Sequence, residues 1–166
     1  GGKGRSDSGD ARRSGDVVAI CDVDDATLAK AGDTTFPKAA RYTDFRKLLD
    51  ESGKNIDAVT VSIPDHMHAA ATALAMRMGI ACYTQKPLTR TIYEARKLGD
   101  IARETKVATQ MGNQGCSFPG LRKTVAALRA GVIGNVKEAH VWTDRPHWAC
   151  GTPRPPEAPV PPGVNW

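Results

Sequence analysis

Lys86 and Pro87 are the pair of residues with the most specific chemistry in the chain. They close the short apolar run Ile80–Thr84, and a proline disfavours helical geometry at the residue before it. Lys86 is therefore expected to stand fixed at the end of a strand. A lysine held there can hydrogen-bond a hydroxyl and carry its proton as the carbon that bears it is oxidised. An ordinary surface lysine at a strand end is the competing reading.

Asp22 is the second candidate. It closes the apolar run Val17–Cys21 and follows the glycines Gly1, Gly2 and Gly4 by about 20 residues, the separation at which a carboxylate can accept both hydroxyls of a nucleotide ribose. Gly1-Gly-Lys-Gly4 resembles the end of a G-x-G-x-x-G loop, in which glycine lets the backbone approach a pyrophosphate at a helix N-terminus. Gly1 and Gly4 then become its second and third glycines. A flexible terminus accounts for the same glycines, and the spacing to Asp22 is what favours the nucleotide. A carboxylate at that position repels a 2′-phosphate, so NAD is expected over NADP.

Further polar residues follow other apolar runs. Ser62 lies near the end of the run Asp57–Ile63 and Pro64-Asp-His-Met-His68 follows it; Ser62, Pro64 and His66 are expected to pack against a cofactor and His68 to cap or orient the loop. Two histidines at i and i+2 raise the question of a metal, but no third ligand is evident, and none is expected. Gln85 precedes Lys86, and Asn113 and Gln114 lie between Gly112 and Gly115, where amides suit contacts to cofactor or substrate. Trp142, Arg145, His147 and Trp148 fit either a substrate pocket or packing at a domain boundary.

The elements that must position these groups follow from periodicity. Strands are expected over 17–21, 57–63, 80–84, 106–111 and 136–142, with helices over 24–31, 42–52, 68–78, 91–105 and 121–130. The alternation predicts βαβ units: an α/β fold, a Rossmann-type doubly wound parallel sheet. Ligands bind at the carboxyl ends of such strands. Asp22, Ser62–His68, Gln85-Lys86-Pro87 and Gly112–Gln114 all fall there. The proline-rich stretch Thr152–Gly163 is expected to be a linker or an extended surface segment.

Composition narrows the classes. The chain is 40% hydrophobic and 25% charged, ordinary for a globular protein, with a net charge of +5 carried by scattered basic residues. No basic stripe interleaved with aromatics marks a nucleic-acid surface. No run approaches the ~20 apolar residues of a membrane span, and residues 1–16 show no signal peptide. A cytoplasmic location is expected, with an exported form left open because the chain starts in mid-fold. Cys21, Cys82, Cys116 and Cys150 are far apart and form no C-x-x-C pair, which argues against a zinc site or a disulfide framework.

Taken together, Asp22 after a strand, Ser62-Ile-Pro-Asp-His-Met-His68, Gln85-Lys-Pro-Leu88 and Gln110-Met-Gly-Asn-Gln114 resemble the Gfo/Idh/MocA oxidoreductases. The resemblance runs from Gly1 to about Trp148. It implies a Rossmann domain over 1–115, incomplete at its N-terminus, then the start of an α/β substrate and oligomerisation domain over 116–166, with homo-oligomerisation of the parent protein. It implies that Lys86 matches the lysine of the family's Glu-Lys-Pro motif at the nicotinamide, with Gln85 in place of the usual glutamate, and that Asn113 matches a cofactor contact. The expected activity is NAD-dependent oxidation of a secondary alcohol of a sugar, cyclitol or polyol. An NAD-dependent glycosidase using transient oxidation and a non-enzymatic NAD-binding sensor are the alternatives. The central first strand and most of the second domain are expected to lie outside the chain, leaving it inactive by itself.

Overall fold

The computed structural model describes residues 2–144 and 153–165. The chain forms two compact units, one of Gly1–Asn113 with Pro161–Trp166 and one of Gln114–Val160.

In the first unit, helices and strands alternate: α1 (Gly2–Ala11), β1 (Ala19–Cys21), α2 (Asp25–Thr34), β2 (Ala40–Tyr42), α3 (Phe45–Ser52), β3 (Ala58–Val61), α4 (His68–Arg77), β4 (Ala81–Gln85), α5 (Ile92–Thr105) and β5 (Thr109–Gly112). All strand pairings are parallel. β1 pairs with β2, and β3, β4 and β5 form a second sheet in that order. The usual dinucleotide-binding order is 3-2-1-4-5-6. These sheets correspond to its 3-2 and 4-5-6 portions, and no described strand takes the place of strand 1. One core serves both sheets: Leu48 and Leu49 of α3, Ala75 and Met76 of α4, and Leu98 and Ile101 of α5 pack with Ile80 and Cys82, and Ala19 and Cys21 of β1 lie against them.

Local chemistry sets the helix starts. Asp24 caps α2 by accepting from the Thr27 amide at 2.6 Å, and Asp44 caps α3 by accepting from the Arg46 amide. Thr91 and Glu94 form a reciprocal capping box at α5. Helix α1 is different, since its only buried residue is an aspartate, Asp7. Three glycines weaken it further, so contacts to the rest of the unit must hold it.

Three sequence expectations change. Tyr42 is not the start of a helix but the end of β2, and α3 begins at Phe45 behind its Asp44 cap. Strand β2 was not expected, because three residues with no buried member show no apolar period. Residues 136–142 do not form a strand: Val136, Val141 and Trp142 are exposed, and no described residue supplies the ladder that a strand requires.

In the second unit the helix is present as α6 (Pro119–Arg129), started by proline at its first position. Residues 153–160 are exposed and irregular, whereas the segment from Pro161 belongs to the first unit. There the Asp25 amide donates to the Gly163 carbonyl at 2.9 Å and the Asn165 amide to the Val23 carbonyl at 2.8 Å, while the Asn165 side chain donates to the Asp25 carboxylate.

Candidate functional site

The carboxyl ends of the strands carry the expected residues. Asp22 follows β1, Ser62 follows β3, Gln85 ends β4 and Asn113 follows β5. A Cβ on Gly4 would lie 3.0 Å from the Ser62 carbonyl oxygen, tighter than ordinary contact, so α1 approaches the end of β3 as closely as glycine permits. That is the role of the last glycine of a dinucleotide loop. Gly2 opens the helix at φ +48°, in the left-handed region that favours glycine. Gly1 lies outside the described residues.

Asp7, one turn after Gly4, is the centre of a network that joins three segments. It is 5% exposed. Its carboxylate accepts from the Ser62 hydroxyl at 2.5 Å, from the Gln85 amide nitrogen at 2.7 Å and from the Lys3 ammonium at 2.6 Å. Burial pushes the Asp7 carboxyl up, but the bonds from Lys3, Ser62 and Gln85 together outweigh it and hold the group below the usual carboxylate range. Gly112 lies opposite Gln85 across the β4–β5 ladder. A Cβ there would come within 2.7 Å of the Gln85 amide carbon, so this glycine makes room for the side chain.

Lys86 is exposed just beyond β4, and the Lys86–Pro87 peptide is cis. His68, the first residue of α4, is 1% exposed. Its Nδ1 lies 2.6 Å from the Pro87 carbonyl oxygen and its Nε2 2.8 Å from the Ile63 carbonyl oxygen. A neutral ring has one N–H, so the tautomer decides which carbonyl receives the hydrogen. Both ring nitrogens thus face protein backbone, and His68 clamps the β3–α4 turn to the Lys86-Pro87 segment. Pro64 and His66 are exposed on that turn.

Asp22 is half-buried, and one of its carboxylate oxygens accepts from the Asp24 amide at 3.1 Å. Asn113 is exposed, its amide donating to the Met111 carbonyl. Gln114 begins the second unit. In the same unit Trp142 is exposed, and Arg145, His147 and Trp148 lie outside the described residues.

Sequence reasoning missed Lys3 and Asp7, and it placed Gly112 at the ligand edge without its role in making room for Gln85. A signal for Asp7 existed: residues three apart share a helix face, so a packing glycine at position 4 points to position 7.

The site can hold a dinucleotide. The first amides of α1 have no carbonyl partner within the helix and follow a glycine at positive φ, and Asp22 offers a carboxylate at the neighbouring strand end.

Known proteins are similar to this chain in sequence and fold. The model of the GFO_IDH_MocA family, described as an oxidoreductase family with an NAD-binding Rossmann fold, matches residues 5–113. D-apiose dehydrogenase of Paraburkholderia graminis is 29% identical over 119 residues, covering 72% of this chain and 31% of the relative. Inositol 2-dehydrogenase 1 of Saccharopolyspora erythraea is 29% identical over 130 residues, covering 75% of this chain and 36% of the relative. Among solved structures, the Y186F mutant of KijD10, a 3-ketoreductase from Actinomadura kijaniata in complex with TDP-benzene and NADP, superposes with a TM-score of 0.65 at 26% identity. The match covers 73% of this chain and 36% of that one. The chain spans about a third of the length of these relatives.

Proposed function

Because this chain belongs to the Gfo/Idh/MocA oxidoreductase family, with its NAD-binding Rossmann fold, we propose that it supplies the dinucleotide site and the catalytic lysine of a dehydrogenase. The substrate class is a secondary alcohol of a sugar, cyclitol or related polyol, in keeping with the D-apiose and inositol dehydrogenases among its relatives.

The observation that carries the proposal is the position of Lys86. It is exposed at the carboxyl end of β4, and the residue before it is tied through Asp7 to the helix that follows the glycines. The amides at the α1 N-terminus would hold the pyrophosphate, and Asp22 would accept the ribose hydroxyls. Bound NAD supplies the hydride acceptor. Lys86 hydrogen-bonds the substrate hydroxyl and moves its proton as the carbon is oxidised. The Asp22 carboxylate favours NAD over NADP, since a 2′-phosphate there meets like charge. KijD10, a solved structure of similar fold, is in complex with NADP, and in this reading the side chain at position 22 makes the choice in this chain.

The test is Lys86→Ala in the intact protein, read as NADH production across a panel of polyols. Turnover is expected to fall about 10²–10⁴-fold, the range for loss of a general acid–base group, with NAD affinity within about threefold of wild type. Unchanged turnover would remove Lys86 from the chemistry.

A further inference from the structure

We propose that Asp7 is a positioning residue for the catalytic segment. Its buried carboxylate fixes the Gln85 side chain and, through it, the backbone that carries Lys86. The inference rests on the reading of Lys86 as the catalytic residue.

A carboxylate taken out of water must be met by donors. Asp7 has three: the Lys3 ammonium of its own helix at 2.6 Å, and two from far along the chain, Ser62 55 residues away and Gln85 78. The contacts close a circuit. Asp7 holds Ser62 and Gln85. Ser62 precedes Ile63, whose carbonyl faces His68, and Gln85 precedes Lys86-Pro87, whose Pro87 carbonyl faces the same ring. Lys86 therefore stands between Gln85, held by Asp7, and Pro87, whose carbonyl lies against the buried His68 ring. Gly112 clears the space that lets the Gln85 amide reach Asp7.

The pairing also sets the identity of residue 85. An ionised carboxylate only accepts, so position 85 must present a donor, and the amide of glutamine does. A glutamate there would set two carboxylates within hydrogen-bonding distance with the single, half-exposed Lys3 ammonium beside them, so one positive charge faces two negative ones and a carboxyl pKa is raised. Exchanging the two groups, with the amide at position 7 and the carboxylate at position 85, restores one donor and one acceptor.

The experiment uses D7N, Q85E and the double variant D7N/Q85E of the intact protein, with NADH production followed from about pH 5.5 to about pH 8.5, a range that spans the titration of a raised carboxyl. For Q85E, turnover near wild type is expected at the acid end, where a shared proton bridges the two carboxyls. Relative to wild type, it falls about tenfold or more at the alkaline end, once that proton is lost. In D7N/Q85E the profile regains its wild-type shape, with turnover within about threefold of wild type. NADH affinity, read by fluorescence, changes much less than turnover in all three. A wild-type pH profile for Q85E, or no recovery in the double variant, overturns the proposal.

Amide exchange of the segment 83–90 provides a reading that does not depend on turnover. Alkaline loosening in Q85E that D7N reverses supports the proposal, and unchanged exchange overturns it. Failure of the wild-type protein to oxidise any alcohol would instead count against the dehydrogenase reading, with the exchange result still deciding whether Asp7 positions the segment.

Discussion

Truncating His68 to alanine should loosen the Lys86-Pro87 segment more than any other single change in the β3–α4 turn. The imidazole is 1% exposed and lies between the Pro87 and Ile63 carbonyls, at 2.6 and 2.8 Å. His68→Ala removes one donated hydrogen bond and leaves a part-buried carbonyl without its donor, a loss of about 1–2 kcal/mol. Removing the ring from a closed site adds a cavity cost of about 1–2 kcal/mol, below that of a Phe→Ala change because the ring is smaller. The sum is about 3 kcal/mol, or roughly a 100-fold rise in the population of the locally open state. Urea denaturation of the intact protein reads the global part. Hydrogen exchange of peptides covering 60–68 and 83–90 reads the local part, and acceleration should be confined to those two segments. His68→Gln, which keeps a donor, should recover about half of the loss. A loss below about 1 kcal/mol with unchanged exchange in both peptides would refute the clamp.

Two further outcomes follow from packing and burial. Gly4→Ala and Gly9→Ala make the same change in the same helix, and each gains about 1 kcal/mol of helix propensity. At Gly9 the new Cβ meets nothing within 4 Å and the gain should appear in the melting temperature, whereas at Gly4 it presses on the Ser62 carbonyl at 3.0 Å and the net effect should be destabilising. Burial pushes the Cys21 thiol up to about 11, with the charges of Asp22 and Asp44 adding to it, and burial alone pushes Cys82 up to about 11. At about pH 8 a thiol with that pKa is ionised in about one molecule in a thousand, so among the described cysteines peptide mapping after alkylation should find exposed Cys116 modified before Cys21 and Cys82, which stay protected until unfolding.

The ligand edge of the sheet was legible because the strands end on a change of chemistry that survives in one dimension: Cys21 to Asp22, Ile63 to Pro64, Thr84 to Gln85-Lys86-Pro87. Apolar runs of about five residues gave away β1 and β4 and the apolar positions of Asp57–Ile63 gave away β3, with Asp22 marking where β1 stops and a proline where β3 and β4 stop. β2 was hidden because Ala40, Arg41 and Tyr42 are not buried, and their strand character comes from pairing with β1. Residues 136–142 fail in the opposite sense: their apolar content suits a strand, but a strand also needs a neighbour.

Asp7 was invisible for a third reason. In a helix of glycines, serines and charges nothing in the composition separates a buried carboxylate from a solvated one, and its partners Ser62 and Gln85 lie far along the chain. The proline-rich tail was legible only as irregular. That Gly163 and Asn165 return to the turn after Asp22 depends on backbone pairing, which sequence pattern does not record.

The account stands or falls on the dinucleotide site, and its most direct test is a titration of the intact protein with NAD and with NADP, repeated for Asp22→Ser. Wild type should bind NAD at least about tenfold more tightly than NADP, and the substitution should remove most of that preference by taking away the carboxylate that holds the ribose and repels the 2′-phosphate. Equal affinities in wild type, or a preference that Asp22→Ser leaves intact, would contradict it.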